Sequence, residues 1–206
     1  MTTTGQVVRR TQAERRASTR AALLQATIDC LIELGYAGTT TNEVQLRAGV
    51  SRGALTHHFA SKAELLLAAM DHLYEDFSAS IRDAAATLPP GEERIRPAIR
   101  MLWDRFNGPL FLAAMELWVA ARTDPQLLAA VEPLERQTGR ETHRLTVEML
   151  DVDESQPGAR ELVQATLDLI RGLGLANTIS DDRGRRQQIL DRWAEVLDDE
   201  LPRRQH

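Results

Sequence analysis

Apolar residues return every three or four positions through most of this chain. Leu23, Leu24, Thr27, Ile28, Leu31 and Leu34 keep that spacing, so they predict an amphipathic helix that Gly35 ends. Thr11-Gln12-Ala13-Glu14 has the pattern of a capping box and offers that helix a start. The same period returns at Leu65, Leu66, Ala69, Leu73 and Phe77, in a helix expected to run on until Leu88-Pro89-Pro90-Gly91 stops it. Ile95, Ile99, Leu102, Trp103 and Phe106 mark another, and Asn107-Gly108-Pro109 separates it from one over Leu110 to Arg122. Asp124-Pro125 supplies an N-cap and a first-turn proline to a helix reaching toward Leu150, with Pro133 expected to kink or break it near its start. Ser155-Gln156-Pro157-Gly158 precedes a helix over Leu162 to about Thr178. Asp181-Asp182 opens the last, through Ile189, Leu190, Trp193, Val196 and Leu197. No stretch sustains the two-residue alternation of a strand, so the pattern predicts an all-α chain of about nine helices.

The densest punctuation lies between residues 40 and 64, TTNEVQLRAGVSRGALTHHFASKAE. Thr40 and Glu43 are spaced as a capping box, and so are Ser61 and Glu64. Gly49 can take the left-handed conformation that ends a helix, and Ser51 is a ready N-cap for a short helix through His58. Two short helices joined by a tight glycine-bearing turn read as a helix-turn-helix, whose second helix can lie in a DNA major groove.

Charge sharpens that reading. The chain has 206 residues with 25 basic and 30 acidic side chains, which as a total does not suggest a polyanion ligand. Through Lys62, however, there are eight basic residues (Arg9, Arg10, Arg15, Arg16, Arg20, Arg47, Arg52, Lys62) and four acidic (Glu14, Asp29, Glu33, Glu43), a net +4. The remainder then carries −9 to reach the total of −5. A cationic N-terminal segment on an acidic body fits a protein that turns one end to nucleic acid. Cys30 is the sole cysteine and falls among apolar positions, so an inert buried thiol in a reducing compartment is expected. The start of the chain has no apolar signal core and no run approaches about 18 apolar residues, so a cytoplasmic protein without membrane spans is expected. There is no glycine-rich phosphate loop, no Ser/His/Asp arrangement at known spacing and no metal-ligand cluster, which argues against an enzyme and against a bound cofactor or metal.

Read in order, Gly35-Tyr36, Thr39-Thr40, Ala48-Gly49-Val50-Ser51, Gly53, Leu55, His58-Phe59, Ser61-Lys62 and Glu64 resemble the DNA-binding domain of the TetR family of transcriptional regulators. The resemblance implies a three-helix DNA-binding head, placed at residues 1–64, and an effector-binding and dimerisation body over 65–206. It also implies a homodimeric repressor that leaves a palindromic double-stranded operator when a small apolar molecule binds. Two positions depart from the family pattern: Thr56 replaces a tyrosine, and Gln45 replaces an alanine packed against the recognition helix. A side chain as long as Gln45 must tilt outward or shift the helix crossing.

By this resemblance Ser51 to His58 is the recognition helix. Arg52 is the leading base reader, since a guanidinium can bond guanine O6 and N7 together, and its alternative is a phosphate contact. Gly53 and Ala54 allow close groove approach, while Leu55 and Phe59 are expected in the core. Thr39, Thr40 and Thr56 offer hydroxyls to phosphate, and His57, His58 and Lys62 offer further donors. His57 and His58 do not form a metal pair, because adjacent helical residues point apart. The arginines at 9, 10, 15, 16 and 20 can grip the backbone or minor groove.

For the effector, the window from Ile99 to Trp118 concentrates large apolar side chains. Trp103, Phe106, Phe111, Met115, Trp118 and His143 are the candidate ligand residues, with Glu116 and Arg122 as polar fixers. For the dimer, Val163, Leu167, Ile170 and Gly174 share one stripe with Leu190, Trp193 and Leu197 in the last helix. Two other readings stay open: a DNA-binding regulator controlled by a protein partner, and an all-α enzyme on the same fold.

Overall fold

A computed structural model of the chain describes residues 11–204. Among them are nine α-helices: α1 (Gln12–Gly38), α2 (Thr41–Ala48), α3 (Arg52–His58), α4 (Lys62–Ala85), α5 (Ile95–Phe106), α6 (Pro109–Ala121), α7 (Pro125–Leu150), α8 (Ala159–Asn177) and α9 (Arg183–Glu200). A single 3-10 turn, Gly91–Arg94, precedes α5. The fold is all-α, and the lone extended pairing among the described residues is an isolated bridge between Val152 and Arg203. No helix among these residues is long and apolar enough to cross a membrane. The chain divides into two compact units, one through Ala69 and one from Met70.

The local signals explain the helix ends. Thr11 Oγ1 accepts the Glu14 N–H at 3.2 Å and Glu14 reaches back to the Thr11 N–H at 2.7 Å, a complete capping box. Gly35 leaves helical geometry at φ 68°, ψ 179° and so ends the long amphipathic run as expected, and one further helical turn continues beyond the kink to Gly38. Thr40 caps α2 by accepting from the Glu43 N–H, while the Glu43 carboxylate stands 3.9 Å from Arg47 instead of closing the box. At α4 the Ser61 hydroxyl accepts from Glu64 N–H, and the Glu64 carboxylate reaches one residue further back, to the Ala60 N–H at 2.7 Å. Helix α7 runs unbroken through Pro133. That proline faces solvent, as does Ala129 four residues earlier, so water can take over the carbonyl the proline leaves unbonded.

In the head, Leu23, Leu24, Ile28, Cys30 and Leu31 of α1 are buried, together with Val44, Leu55, Phe59 and Leu65. Burial also pushes the Cys30 thiol up, against the opposing pull of Arg47, which keeps it protonated and unreactive. In the body, α5 lies at the centre of a core completed by α4, α7, α8 and α9.

That core corrects the expected dimer stripe. Val163, Leu167, Ile170, Leu190 and Leu197 are each 4% exposed or less within their own chain. Gly174 is small for an internal reason as well: a Cβ there would lie 3.2 Å from Phe106 O and 3.2 Å from a Phe111 ring carbon. Helical periodicity finds the buried face of α8 and α9 correctly, but that face packs against the chain itself. Only Trp193 of the seven remains partly exposed, and its indole N–H donates to Thr166 Oγ1 at 2.9 Å.

Gly49 caps α2 at φ 65°, ψ 31°, with open space around the position of an added Cβ. Gly49→Ala is therefore expected to cost about 1 kcal/mol from backbone strain alone, read as a lower urea midpoint for the head with an unchanged helical CD spectrum.

Candidate nucleic-acid interface and ligand cavity

A helix that reads DNA must be held by one face and expose the other. In α3 Leu55 is 3% exposed, and Phe59 just beyond it is also 3% exposed. Ser51, Arg52, Gly53, Thr56 and His57 are exposed, with Ala54 and His58 partly so. Arg52 and Thr56 share a concave surface with Thr41, Asn42, Gln45, Ser61 and Lys62. Gln45 does turn outward: its Nε2 donates to Asn42 Oδ1 at 3.1 Å.

Several hydroxyls are already engaged. Ser51 Oγ accepts the Ala54 N–H at 3.2 Å and starts the helix. Thr56 Oγ1 lies 3.1 Å from Arg52 O and 3.2 Å from Gly53 O, so its proton goes to its own helix rather than to a phosphate. Thr39 departs furthest from expectation. It is 1% exposed and its hydroxyl donates to Gly35 O at 2.7 Å, which fastens the turn between α1 and α2. Thr40 is exposed and uses only a lone pair for its cap, so its O–H can still donate outward.

Lys62 is partly buried, with Nζ donating to Tyr36 O at 3.0 Å and standing 4.1 Å from the Tyr36 ring centroid. Burial pulls its pKa down. An ammonium has three N–H donors, so Lys62 can brace the end of α1 and still meet an anion. The arginines are unequal too. Arg47 pairs with Glu33 at 2.8 Å, tying α2 to α1, while the Arg20 guanidinium stands 5.6 Å from the Phe59 ring centroid. His58 is held below the ordinary histidine range, first by burial and then by the charges of His57, Arg16 and Arg20. Arg9 and Arg10 lie outside the described residues.

In the body a cavity of about 70 Å³ opens among α4, α5, α6, α7 and α8. Tyr74, Phe77, Phe106, Phe111 and Trp118 form its aromatic wall. Phe77 meets Phe106 edge to face at 5.6 Å between centroids, and Phe111 meets Trp118 at 6.2 Å. The polar wall comes mainly from α7, with Arg105 of α5 and Arg171 of α8. Tyr74 donates its hydroxyl to Thr138 O at 3.0 Å and lies 3.2 Å from Thr142 Oγ1. Burial raises the Glu135 carboxyl, while a hydrogen bond from Trp118 and the charge of Arg171 pull the other way.

Of the expected ligand residues, Phe106, Phe111 and Trp118 line this cavity; Trp103, Met115 and His143 do not. Trp103 lies under the Arg186 guanidinium at 5.8 Å, and Met115 packs against the core. His143 belongs to the neighbouring groove, where its Nε2 lies 2.6 Å from Glu154 Oε1. Glu116 and Arg122 also stand outside the cavity wall. Tyr74, Thr138, Thr142 and Glu135 were missed, because polar residues on a helix carry no periodic sign that they face inward.

Comparison with known proteins follows the same lines. The model of bacterial regulatory proteins, tetR family, matches residues 23–69. The HTH-type transcriptional regulator CymR of Pseudomonas putida is 32% identical over 194 residues, 91% of this chain and 93% of CymR. The chain belongs to the TetR family. An uncharacterised HTH-type regulator of Mycobacterium tuberculosis is 32% identical across 80% of each chain. A TetR transcription regulator from Haloarcula marismortui superposes with a TM-score of 0.72 at 24% identity, covering 90% of this chain and 99% of that one. The multidrug binding protein EbrR, complexed with imidazole, gives 0.61 at 23% identity over 84% and 93%. At such identities the solved structures establish the fold. TetR-family proteins are DNA-binding transcriptional regulators, not enzymes, and this chain is one of them.

Two measurements probe the head of this TetR-family regulator. Lys62→Ala is expected to weaken binding to every DNA sequence alike and to lower the salt slope by about 1, read by titrating affinity against salt on specific and random duplexes. With His58 held low, the unfolded chain takes up a proton more readily than the folded head. Stability is then fully present above the ordinary histidine pKa and falls as pH drops through about 6.5. Urea unfolding on both sides of that pH should show the fall, and His58→Gln should flatten it.

Proposed function

We propose that this regulator is a repressor, binding a palindromic duplex operator as a two-fold homodimer and leaving it when a small apolar molecule enters the body cavity. The aromatic cavity is the observation that carries this reading. A body needed only for dimerisation gains by filling its core, since voids forfeit contacts. EbrR, which shares the fold, is a multidrug binding protein, in agreement with a small-molecule site here.

On DNA, the N-terminal half of α3 supplies the reading: Arg52 to guanine, with Gly53 and Ala54 permitting close approach. Thr40, Ser51, His57, His58 and Lys62 meet phosphates, and Lys62 does so from a position fixed by Tyr36. Thr56 and Thr39 contribute through backbone geometry rather than direct contact.

Effector coupling follows from size. A cavity that accepts benzene measures about 150 Å³, and the one here is about 70 Å³. A ring-sized guest must displace side chains, so it binds an altered body better than the present one, as coupling requires. Tyr74 and Phe77 stand on α4, the helix whose first turn carries Lys62.

The dimer surface is the outer face of α8 and α9. Leu169, Ile189, Trp193 and Val196 line a shallow apolar groove there, and Leu175 is 51% exposed. A two-fold homodimer carries paired recognition helices, as operator half-sites about 34–36 Å apart require.

Genomic fragments captured by the protein give the operator, and metabolites screened for release and for a raised unfolding temperature give the effector. A screen in which no compound does either would overturn the effector reading. Trp118→Ala should keep DNA affinity and lose the response to effector. Leu169→Arg should sediment as a monomer at micromolar concentration and lose operator affinity by more than tenfold, roughly the loss of 1.4 kcal/mol or more.

A further inference from the structure

Beside the aromatic cavity, α7 and α8 form a groove of opposite chemistry. Arg136, Arg140 and His143 of α7 line it with Arg160 and Arg171 of α8. Cavity and groove share Trp118, Glu135, Gly139 and Arg171, so an apolar hollow adjoins a cationic one. This cluster stands out because the chain after Lys62 sums to −9.

The internal acids do not saturate these guanidiniums. Arg136 pairs with Glu132 at 3.1 Å and Arg171 with Asp168 at 3.0 Å. Arg160 is only within 3.6 Å of a Glu154 oxygen that His143 already holds at 2.6 Å. Arg140 is exposed and has no ion-pair partner among the described residues. His143 adds an independent sign. It is 8% exposed and lines the groove, yet its Nδ1 is buried without a hydrogen-bond partner. A buried polar atom left unbonded costs free energy that a ligand can recover.

We propose that the effector is an amphipathic carboxylate, its apolar body in the aromatic cavity and its carboxylate on Arg140 and Arg160 in the groove. This rests on the cavity being the effector site. A guanidinium presents paired N–H donors that match a carboxylate. Glu135 stands at the junction, where burial raises its carboxyl and a hydrogen bond from Trp118 and the charge of Arg171 partly oppose that rise, so it opposes an anion less than a solvated carboxylate would. A cationic ligand of the same shape meets four guanidiniums, and a neutral one leaves them in water.

The test is calorimetric titration of the protein with two matched series: phenylacetate, phenylacetamide and phenethylamine, then octanoate, octanamide and octylamine. The expected result is tighter binding of the acid in at least one series. Arg140→Gln and Arg160→Gln should each weaken that acid by about tenfold and leave the amide unchanged. Both side chains are exposed, so an unchanged melting temperature controls for folding. Acids that bind no more tightly than their amides and amines in either series, or an acid indifferent to both variants, overturn the carboxylate and leave the cavity as effector site. No binding in either series overturns the carboxylate too, while the effector reading is judged separately by operator release and by Trp118→Ala.

Discussion

Burial of Leu55 and Phe59 is the constraint on which the DNA-binding head depends. Helix α3 has seven residues, far below the length at which a helix persists alone in water. Its two apolar anchors, four residues apart, each contribute about 1.5–3 kcal/mol relative to exposure and fix the helix by one side. The same docking leaves Arg52, Gly53, Thr56 and His57 exposed. Gly49 and Ser51 then decide where the helix begins, one through a left-handed turn and the other through a side-chain cap.

The rest of the head is arranged to hold that docking in place. Thr39 ties the turn before α2, Arg47 bridges to Glu33, and Lys62 bonds the Tyr36 carbonyl from the first turn of α4. Side chains that look like a row of phosphate donors in sequence are thus divided by folding into braces and free donors. Lys62 has enough N–H groups to be both; Thr39, with one proton and no exposure, is a brace.

In the body the opposite economy applies. Aromatic side chains from three helices meet polar residues of α7 around a space they do not fill. Gly174 lets α8 approach Phe106 and Phe111 closely, so a residue type suggestive of a subunit interface instead serves internal packing. The outward face left over carries a shallow groove lined by Leu169, Ile189, Trp193 and Val196 together with Arg185, Gln188 and Arg192.

Helix number, helix boundaries and the identity of the head were legible in the sequence. Capping residues, glycine turns and prolines act within a few positions of themselves, so Thr11, Gly49, Ser51 and Asp124 do in the structure what their local chemistry dictates. Family likeness was legible for the same reason, being carried by one continuous run. The cavity wall was read only in part: Phe106, Phe111 and Trp118 were found, but Tyr74, Glu135, Thr138 and Thr142 were not. Six of the seven residues of the expected dimer stripe are buried within their own chain. Periodicity shows which side of a helix is apolar, yet not whether that side meets its own chain or another. That distinction, and the division of Thr39, Thr40 and Lys62 between bracing and binding, depends on contacts between residues distant in sequence, and only tertiary packing decides those.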